Sequence, residues 1–333
     1  MQQKDKLSQQ LPLNVVRERS LRDRVGIYIQ ARDTVEAITR IREAEHAGIQ
    51  QVWMAMGGAG FADILTVLAV AATQTERIKL GTAIVPSYPR HPLVMAQQAL
   101  AVHDLAPGRL MLGVGSGNPL FLESRYGLPQ IAPLSYLKEY LGVLRGVLWE
   151  GNVNYQGKFF QVADTLPRTA PVPLLISALG LKAFRLAGEI ADGAIASLCP
   201  VPYLLDQALP ALRAGAQEKS RPAPPIVACL PVALSTDEAA VSVPVRQLIQ
   251  QLVQAGAHAR MFTQAGWASA VQGDEAALNA LARTLVISGN EATVRDRVRE
   301  LLASGLDELM LLAIPIADEA TERKQLLHLI GSL

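Results

Sequence analysis

Two loops rich in glycine, proline and small polar residues hold the residues best placed for chemistry in this chain. The first spans residues 85–91 and ends in Arg90 and His91, and the second is Gly115-Ser116-Gly117-Asn118. Each loop follows an apolar run that predicts a β-strand, and a helical pattern separates the two runs. Parallel strands of such a βαβ unit carry both loops to the same edge of the sheet, where α/β proteins bind ligands. We therefore expect a ligand site at this edge.

The histidines divide into one candidate and four structural residues. His91 precedes Pro92 at the start of a predicted helix and could contact a cofactor or a substrate, or serve only at the helix entry. The remaining histidines lie within predicted helices: His46, His103, His258 and His328. Their spacing matches neither H-x-x-x-H nor H-E-x-x-H, so we expect no metal site.

Strands and helices alternate along the whole chain and must position these loops. Eight apolar runs read as strands: Val25 to Ile29, Gln51 to Met54, Ile78 to Ile84, Arg109 to Val114, Leu174 to Ser177, Ala194 to Ser197, Ile226 to Leu234 and Glu308 to Ile314. Helical patterns lie between them, and two further helices, near 237–255 and 275–284, follow the seventh strand. The pattern predicts an α/β fold, a (β/α)8 TIM barrel over residues 25–333 with an insertion after the seventh strand and an N-terminal extension over residues 1–24.

An open doubly wound sheet is the alternative architecture, and it would require a dinucleotide fingerprint. The run from Gly113 to Asn118 has asparagine where the third glycine of G-x-G-x-x-G should stand. No acidic strand end follows about 20 residues later, as such a fold would require. The closed barrel is therefore favoured.

Composition excludes several classes of partner. The 333 residues include 31 basic and 30 acidic side chains, which leave a net charge of +1 and no field that would attract nucleic acid or an anionic membrane. The longest apolar stretches are too short to span a bilayer. Two cysteines and a charged N-terminus are typical of a reduced, cytoplasmic protein. We expect a small-molecule substrate.

The chain resembles the bacterial luciferase-like superfamily and, within it, the branch that uses the deazaflavin coenzyme F420. The resemblance covers about residues 25–316. Within this branch, the chain is most similar to methylene-tetrahydromethanopterin reductases. It is carried by the order and spacing of the motifs Leu80-Gly81-Thr82, Arg90-His91-Pro92, Leu112-Gly113-Val114-Gly115-Ser116-Gly117, Ile176-Ser177-Ala178-Leu179-Gly180 and Ala187-Gly188-Glu189-Ile190-Ala191-Asp192-Gly193. The resemblance implies a barrel that holds F420, or alternatively FMN, at the strand C-termini, commonly in a homodimer.

The resemblance also assigns residues to the cofactor. It implies a non-prolyl cis peptide at Ala83-Ile84, forming a bulge behind the ring, and Gly115, Ser116 and Gly117 leave room along the ring edge. The N–H groups of a helix start bind phosphate. The resemblance implies that phosphate is bound by the segment Ser177, Ala178, Leu179, Gly180 and Leu181. The alternative is that this segment only caps the helix and binds no ligand.

The chain differs from the family at the positions where catalytic acids are expected. Related enzymes carry acidic residues or a histidine at the ends of the first, second and fourth strands, where this chain has Tyr28, Met54-Ala55-Met56 and Asn118. With His91, Tyr28 and Asn118 are the candidate catalytic residues, able to orient a substrate through hydrogen bonds. Three hypotheses follow: an F420-dependent oxidoreductase, an FMN-dependent monooxygenase, and a barrel that binds a cofactor without catalysis.

Overall fold

Eight parallel strands close into a barrel in the part of the chain that the structure describes. The structure is a computed structural model, and it describes residues 18–56, 62–254 and 256–333. In chain order the strands are β1 (Val25–Tyr28), β2 (Gln51–Met54), β3 (Lys79–Thr82), β4 (Val85–Pro86), β5 (Leu110–Gly115), β6 (Asn152–Gln156), β7 (Gln161–Thr165), β8 (Leu174–Ser177), β9 (Gly193–Ser197), β10 (Ile226–Ala233), β11 (Ile287–Ser288) and β12 (Glu308–Ala313). The barrel order is β1-β2-β3-β5-β8-β9-β10-β12, and β12 pairs with β1 to close it. The predicted (β/α)8 fold is confirmed.

Helices surround the barrel. They are α1 (Thr34–His46), α2 (Ile64–Thr73), α3 (Pro92–Leu105), α4 (Pro119–Tyr126), α5 (Pro133–Arg145), α6 (Leu181–Ile190), α7 (Val201–Tyr203), α8 (Leu209–Glu218), α9 (Glu238–Gln254), α10 (Ala257–Gln264), α11 (Ala268–Val271), α12 (Glu275–Leu285), α13 (Glu291–Ala303) and α14 (Glu319–Gly331). Two π-helical turns, Gly146–Glu150 and Leu204–Ala208, extend α5 and connect α7 to α8. Helices α9 to α12 form the predicted insertion after β10, the seventh barrel strand.

Interior packing shows which strand positions face the barrel axis. Gly113 on β5 has no room for a Cβ atom beside Ile195, although Ile195 lies on β9, two strands away. Only a contact through the barrel interior can join these strands, so Gly113 faces inward, and Gly115 shares its face because side chains alternate along a strand. The fully buried Trp53 ring fills the space beside Gly81 in the same way. Glycines therefore make room where a larger side chain crosses the barrel.

The N-terminal end of the barrel is closed by residues that precede β1. The buried Arg24 guanidinium donates to the carbonyls of Leu306 and Asp307. Arg19 pairs with Glu308 at the start of β12, and Gln51 at the start of β2 donates to the same carboxylate. Polar contacts thus occupy the end opposite to the predicted ligand site. Residues 1–17 of the predicted extension lie outside the described residues.

Several elements were not predicted from the sequence. The antiparallel hairpin of β6 and β7 lies between β5 and β8, and α4, α10 and α11 lie in segments for which no helix bounds were predicted, although His258, which lies in α10, was placed in a helix. Helices of four to eight residues and strands of five residues are too short for a hydrophobic period to distinguish them from loops. The predicted third strand, Ile78 to Ile84, is interrupted: β3 ends at Thr82, and β4 pairs with β5 after the Ala83-Ile84 peptide.

Candidate functional site

The peptide bond between Ala83 and Ile84 is cis, as the resemblance implies. The two residues stay joined to the second strand, because Ala83 N donates to the Met54 carbonyl at 2.6 Å and the Ile84 carbonyl accepts from Met56 N at 3.2 Å. Beyond them, Ser87 N donates to the Gly115 carbonyl at 2.8 Å. The loop after β3 is thereby fixed between the ends of β2 and β5.

Three of the residues that the sequence assigned to the cofactor meet at the barrel mouth. A Cβ atom at Gly115 would overlap Ser177 Oγ and lie 3.0 Å from Ile84 Cδ1. The ends of β5 and β8 and the segment after β3 therefore converge at Gly115, where the Ser177 hydroxyl and the Ile84 side chain fill the space that a Cβ atom would take. A backbone without a side chain, beside an apolar group and a hydroxyl, suits close approach of a flat ring.

The second glycine loop continues away from this point into α4. Gly117 has φ +74° and lies against Pro86, and the side-chain amide of Gln130 donates to the carbonyls of Ser116 and Gly117. Asn118 caps α4, because its Oδ1 accepts from Leu120 N at 2.9 Å. The side-chain oxygen of Asn118 thus binds the helix, and the side-chain NH2 group is the part of this residue that can contact a ligand.

The loop after β3 ends in two residues with local partners. His91 caps α3 through its Nδ1, which accepts from Leu93 N at 3.3 Å, and its ring meets the edge of Phe160 in the hairpin. Arg90 forms an ion pair with Asp63, the residue that caps α2, and also contacts the Met56 sulfur. Both residues hold loops at the barrel mouth in place.

Tyr28 lies at the end of β1. Burial, together with the nearby Cys229 thiol, raises the pKa of the Tyr28 phenol to about 12, although a hydrogen bond from the Ala55 backbone partly opposes the shift. Strands β1 and β10 are separated by β12, so the influence of Cys229 on Tyr28 passes through the barrel interior. A phenol with a raised pKa keeps its proton at neutral pH and can donate a hydrogen bond to a ligand.

The segment that follows β8 has the features of an anion site. Gly180 caps α6 without a side-chain hydrogen bond, and its carbonyl accepts from Ala183 and Phe184, so the N–H groups of Leu181 and Lys182 precede the helical ladder. A Cβ atom at Gly180 would meet only Gln264 Oε1, at 3.9 Å. Open space in front of a helix N-terminus favours an anion such as a phosphate.

Two residues that the sequence reading missed fix this segment from outside. Tyr203, almost fully buried, donates from its hydroxyl to the Leu179 carbonyl at 2.8 Å, and Gln264 of the insertion lies 3.5 Å from the same hydroxyl. Because the Leu179 carbonyl points to Tyr203, it is held away from an incoming anion. No sequence motif marks either residue, since both reach the segment only after the chain folds.

The insertion also contributes a buried histidine. His258 of α10 lies 3.2 Å from the Ser197 carbonyl at the end of β9, and the tautomer protonated on Nε2 donates to that oxygen. Burial lowers the pKa of His258 to about 4, against the weaker raising effect of this hydrogen bond. The predicted structural role of His258 is consistent with this contact, which joins the insertion to the barrel.

A crevice is lined by the ends of β1, β10 and β12, with Tyr28 among these residues, and by charged residues of α1 and α14. Its charged groups bind one another: Arg40 donates to the Gln30 carbonyl and pairs with Glu36 and Glu319. These ion pairs occupy the charged wall of the crevice, and Tyr28 belongs to the same lining. Among the described residues, no group of three or more histidine, cysteine, aspartate or glutamate side chains could hold a metal ion.

A sequence model of the family described as luciferase-like monooxygenase matches residues 22–308 of this chain. The chain belongs to the luciferase-like monooxygenase family. The match runs from the turn before β1 to the first residue of β12 and includes both glycine loops and the segment after β8. The luciferase-like resemblance of the sequence is thereby confirmed.

Individual relatives match over shorter segments. The F420-dependent glucose-6-phosphate dehydrogenase of Nakamurella multipartita is 38% identical over 180 residues, which cover 51% of this chain and 52% of that protein. The 5,10-methylenetetrahydromethanopterin reductase of Methanopyrus kandleri is 29% identical over 200 residues, covering 54% of this chain and 56% of that protein. The chain thus spans about half the length of these curated relatives.

The fold is also that of a solved structure. The coenzyme F420 dependent tetrahydromethanopterin reductase from Methanopyrus kandleri superimposes with a TM-score of 0.73 at 24% identity, over 92% of this chain and 96% of that chain. This match extends beyond the sequence alignments and confirms that the luciferase-like architecture spans nearly the whole chain. No helix among the described residues is long and apolar enough to cross a membrane.

Proposed function

We propose that this chain is an F420-dependent oxidoreductase that transfers a hydride between a reduced deazaflavin and a small organic substrate. The observation that carries the proposal is the 38% identity with an F420-dependent dehydrogenase. The convergence of Ile84, Gly115 and Ser177 at the barrel mouth supports it, because an apolar group, a backbone without a side chain and a hydroxyl lie together at the strand C-termini, where barrel enzymes bind ligands.

The residues present fit the two ends of such a cofactor. The ring end would lie against Ile84, Gly115 and Ser177, where a Cβ atom at Gly115 has no space but the backbone can approach closely. The phosphate end would lie at the start of α6, where Gly180 leaves open space in front of unpaired N–H groups. Lys182 adds an exposed positive charge near this end.

The remaining task of the protein is to align a substrate and to govern one proton. When bound, the deazaflavin supplies the carbon that carries the hydride. Tyr28 holds its phenol proton at neutral pH, because burial and Cys229 raise its pKa to about 12, and donates a hydrogen bond to a substrate atom. Asn118 and His91 remain proposed contacts to the substrate at the loop rims.

Titration of the apo-protein tests the cofactor. We expect F420 fluorescence to change on binding with micromolar affinity or better, and FMN to bind more weakly. Tight FMN binding without a response to F420 would overturn the proposal in favour of an FMN-dependent monooxygenase. Binding of F420 without turnover, across pterin, alcohol and enone substrates, would instead favour a barrel that only holds the cofactor.

We also propose that the protein is a homodimer that joins through α2 and α3. Both helices carry apolar residues on the outer surface: Val70 is 38% exposed and Val94 is 45% exposed. Helix α2 contains no charged residue. A second copy would cover such a surface.

Light scattering tests the dimer. The variant Val94→Asp should shift the protein from dimer to monomer, whereas Val35→Asp on α1, where valine is 75% exposed, should not. A monomeric wild type would overturn the dimer and leave the cofactor proposal intact.

We propose a cytoplasmic location, supported by the two buried cysteines, neither of which is in a disulfide.

A further inference from the structure

The segment that joins α4 to α5 contacts both loops that border the ring end of the proposed cofactor site. We call residues 130–136 the strap; it runs from Gln130 to Tyr136 in the first turn of α5. None of the residues proposed to contact the cofactor or the substrate lies in the strap. Its contacts therefore concern how the two loops are held.

Gln130 holds the loop after β5. Its side-chain nitrogen donates to the Ser116 carbonyl at 3.0 Å and to the Gly117 carbonyl at 3.1 Å. The carbonyl and the N–H of a planar trans peptide unit point in opposite directions, so these bonds also turn the N–H groups of Gly117 and Asn118 away from Gln130. Ser116 directly follows Gly115. One side chain thus orients the backbone of a loop that begins at the ring end.

Tyr88 fastens the loop after β3 to the same strap. Its hydroxyl donates to the Ile131 carbonyl at 2.6 Å, and its ring stacks on the Tyr136 ring with 4.1 Å between the centroids and 9° between the planes. The preceding residue, Ser87, is the one whose N–H donates to the Gly115 carbonyl. A polar and an aromatic contact thus hold this loop directly beyond the point where it meets β5.

The backbone at the centre of the strap is strained. Ala132 has φ +44° and ψ +58°, a left-handed conformation that is unfavourable for a residue with a Cβ atom. Such a conformation persists only where the surrounding contacts impose it. The bonds of Gln130 and of the Ile131 carbonyl immediately precede Ala132, whose own carbonyl accepts from Tyr136 N at 2.9 Å. The strap therefore depends on its partners in the two loops for its conformation.

The β6–β7 hairpin supports the strap from the other side. The Tyr136 ring lies 5.4 Å from the Phe159 ring and 5.0 Å from the Phe160 ring, between centroids. Glu139, one turn further along α5, accepts three consecutive backbone N–H groups of residues 158–160. Because the hairpin is bound to α5 in this way, Tyr136 has a fixed position from which to stack on Tyr88.

We propose that the strap holds the two loops in the arrangement that the ring end requires, and that Gln130 and Tyr88 are its positioning residues. Each residue acts through the backbone of a loop and not by touching the cofactor. The inference rests on the proposed function and adds how the ring end of that site is held in shape. Because both contacts impose the strained turn at Ala132, loss of either one lets the turn relax and weakens the other.

Two variants and their combination test the strap. Gln130→Met keeps a side chain of similar length without the donor, and Tyr88→Phe keeps the stacked ring without the hydroxyl. The ligand is the phosphate-free deazaflavin fragment of F420, which occupies the ring end alone, and its binding is followed by fluorescence. We expect each variant to weaken binding of this fragment about three- to ten-fold, as for the loss of one or two hydrogen bonds. The double variant should lose no more than about two-fold beyond the weaker single variant, since contacts that act as one unit are not additive.

Thermal melts without ligand and the emission spectrum of the bound fragment separate positioning from stability. A purely structural role lowers the melting temperature but leaves the affinity and the spectrum of the folded protein unchanged. The matched control Tyr155→Phe, which changes a half-buried tyrosine of the hairpin outside the strap, should change neither. Tyr88→Phe retains the aromatic packing, so it tests the strap even where Gln130→Met does not fold.

Two outcomes would overturn the inference: wild-type affinity for the fragment in a folded single variant, or losses that multiply in the double variant. Failure of the proposed function is seen separately, as a protein that binds FMN and not F420. The same variants are then titrated with riboflavin, the phosphate-free form of FMN, and that titration decides the role of the strap by itself.

Discussion

Gly115 lies directly against Ser177 at the mouth of the barrel, so closely that a Cβ atom on Gly115 would overlap the Ser177 hydroxyl oxygen. The two residues lie on neighbouring strands, β5 and β8, and both face the interior. Their contact joins the two parts of the proposed cofactor site, because Gly115 borders the ring end and Ser177 begins the segment that leads to the phosphate end.

Substitution of Gly115 by alanine tests this contact. The added methyl group must displace Ser177 Oγ and press on Ile84, and such overpacking costs about 1 to 3 kcal/mol. We expect Gly115→Ala to lower the melting temperature and to weaken F420 binding at least ten-fold. The double variant Gly115→Ala with Ser177→Gly removes the overlapping atoms and should recover stability. A single variant as stable and as tight-binding as the wild type would contradict the contact.

Charge at position 180 tests the anion site. Gly180 has φ −88°, which any residue adopts, and open space for a Cβ atom, so substitution leaves the fold intact. We expect Gly180→Asp to weaken F420 binding about 100-fold, since a carboxylate at this helix start repels a phosphate. Gly180→Asn has the same shape without the charge and should lose far less affinity. Equal losses in the two variants, measured by fluorescence titration, would contradict an anion site here.

Removal of the Tyr203 hydroxyl tests how the segment before α6 is held. Tyr203→Phe loses the 2.8 Å hydrogen bond to the Leu179 carbonyl, which contributes about 1 kcal/mol to the free energy of unfolding. The freed carbonyl can turn toward the anion, so F420 affinity should fall about three- to ten-fold. The loss should shrink for a cofactor fragment without the phosphate. Full wild-type affinity would show that Tyr203 only packs.

His258 predicts how stability depends on pH. Its pKa is about 4 in the folded protein and 6.5 in the unfolded chain, so the unfolded state takes up a proton first as the pH falls. Its contribution is fully present above pH 6.5 and is lost progressively between pH 6.5 and 4, by roughly 3 kcal/mol in total.

Denaturant unfolding at several pH values measures this effect. His258→Gln should flatten the dependence between pH 4 and 6.5, whereas His328→Gln, which changes an exposed histidine of α14, should keep the wild-type slope. An unchanged slope in His258→Gln would show that other groups govern acid stability.

The sequence alone specified the barrel. Apolar runs of strand length alternate with helical patterns. The hydrophobic periods of strands and helices involve only residues close together in the chain, so they can be recognised without the tertiary structure. The order of the glycine motifs was likewise sufficient to place the chain among luciferase-like proteins and to locate the cis peptide at Ala83-Ile84, which the structure contains. The bounds of helices α4, α10 and α11 and of the hairpin strands were missed because these elements are at most eight residues long, which is too short for a hydrophobic period to identify them.

Only the tertiary structure decided which side chains act together. It uses Asn118 and His91 as helix caps, brings Tyr203 and Gln264 to the segment before α6, and sets Cys229 beside Tyr28 through the barrel interior. These partners lie on different strands and helices, many residues apart. Their proximity, and the desolvation that keeps their titratable groups neutral, arises only when the barrel closes, because no pattern along the chain encodes distance across it.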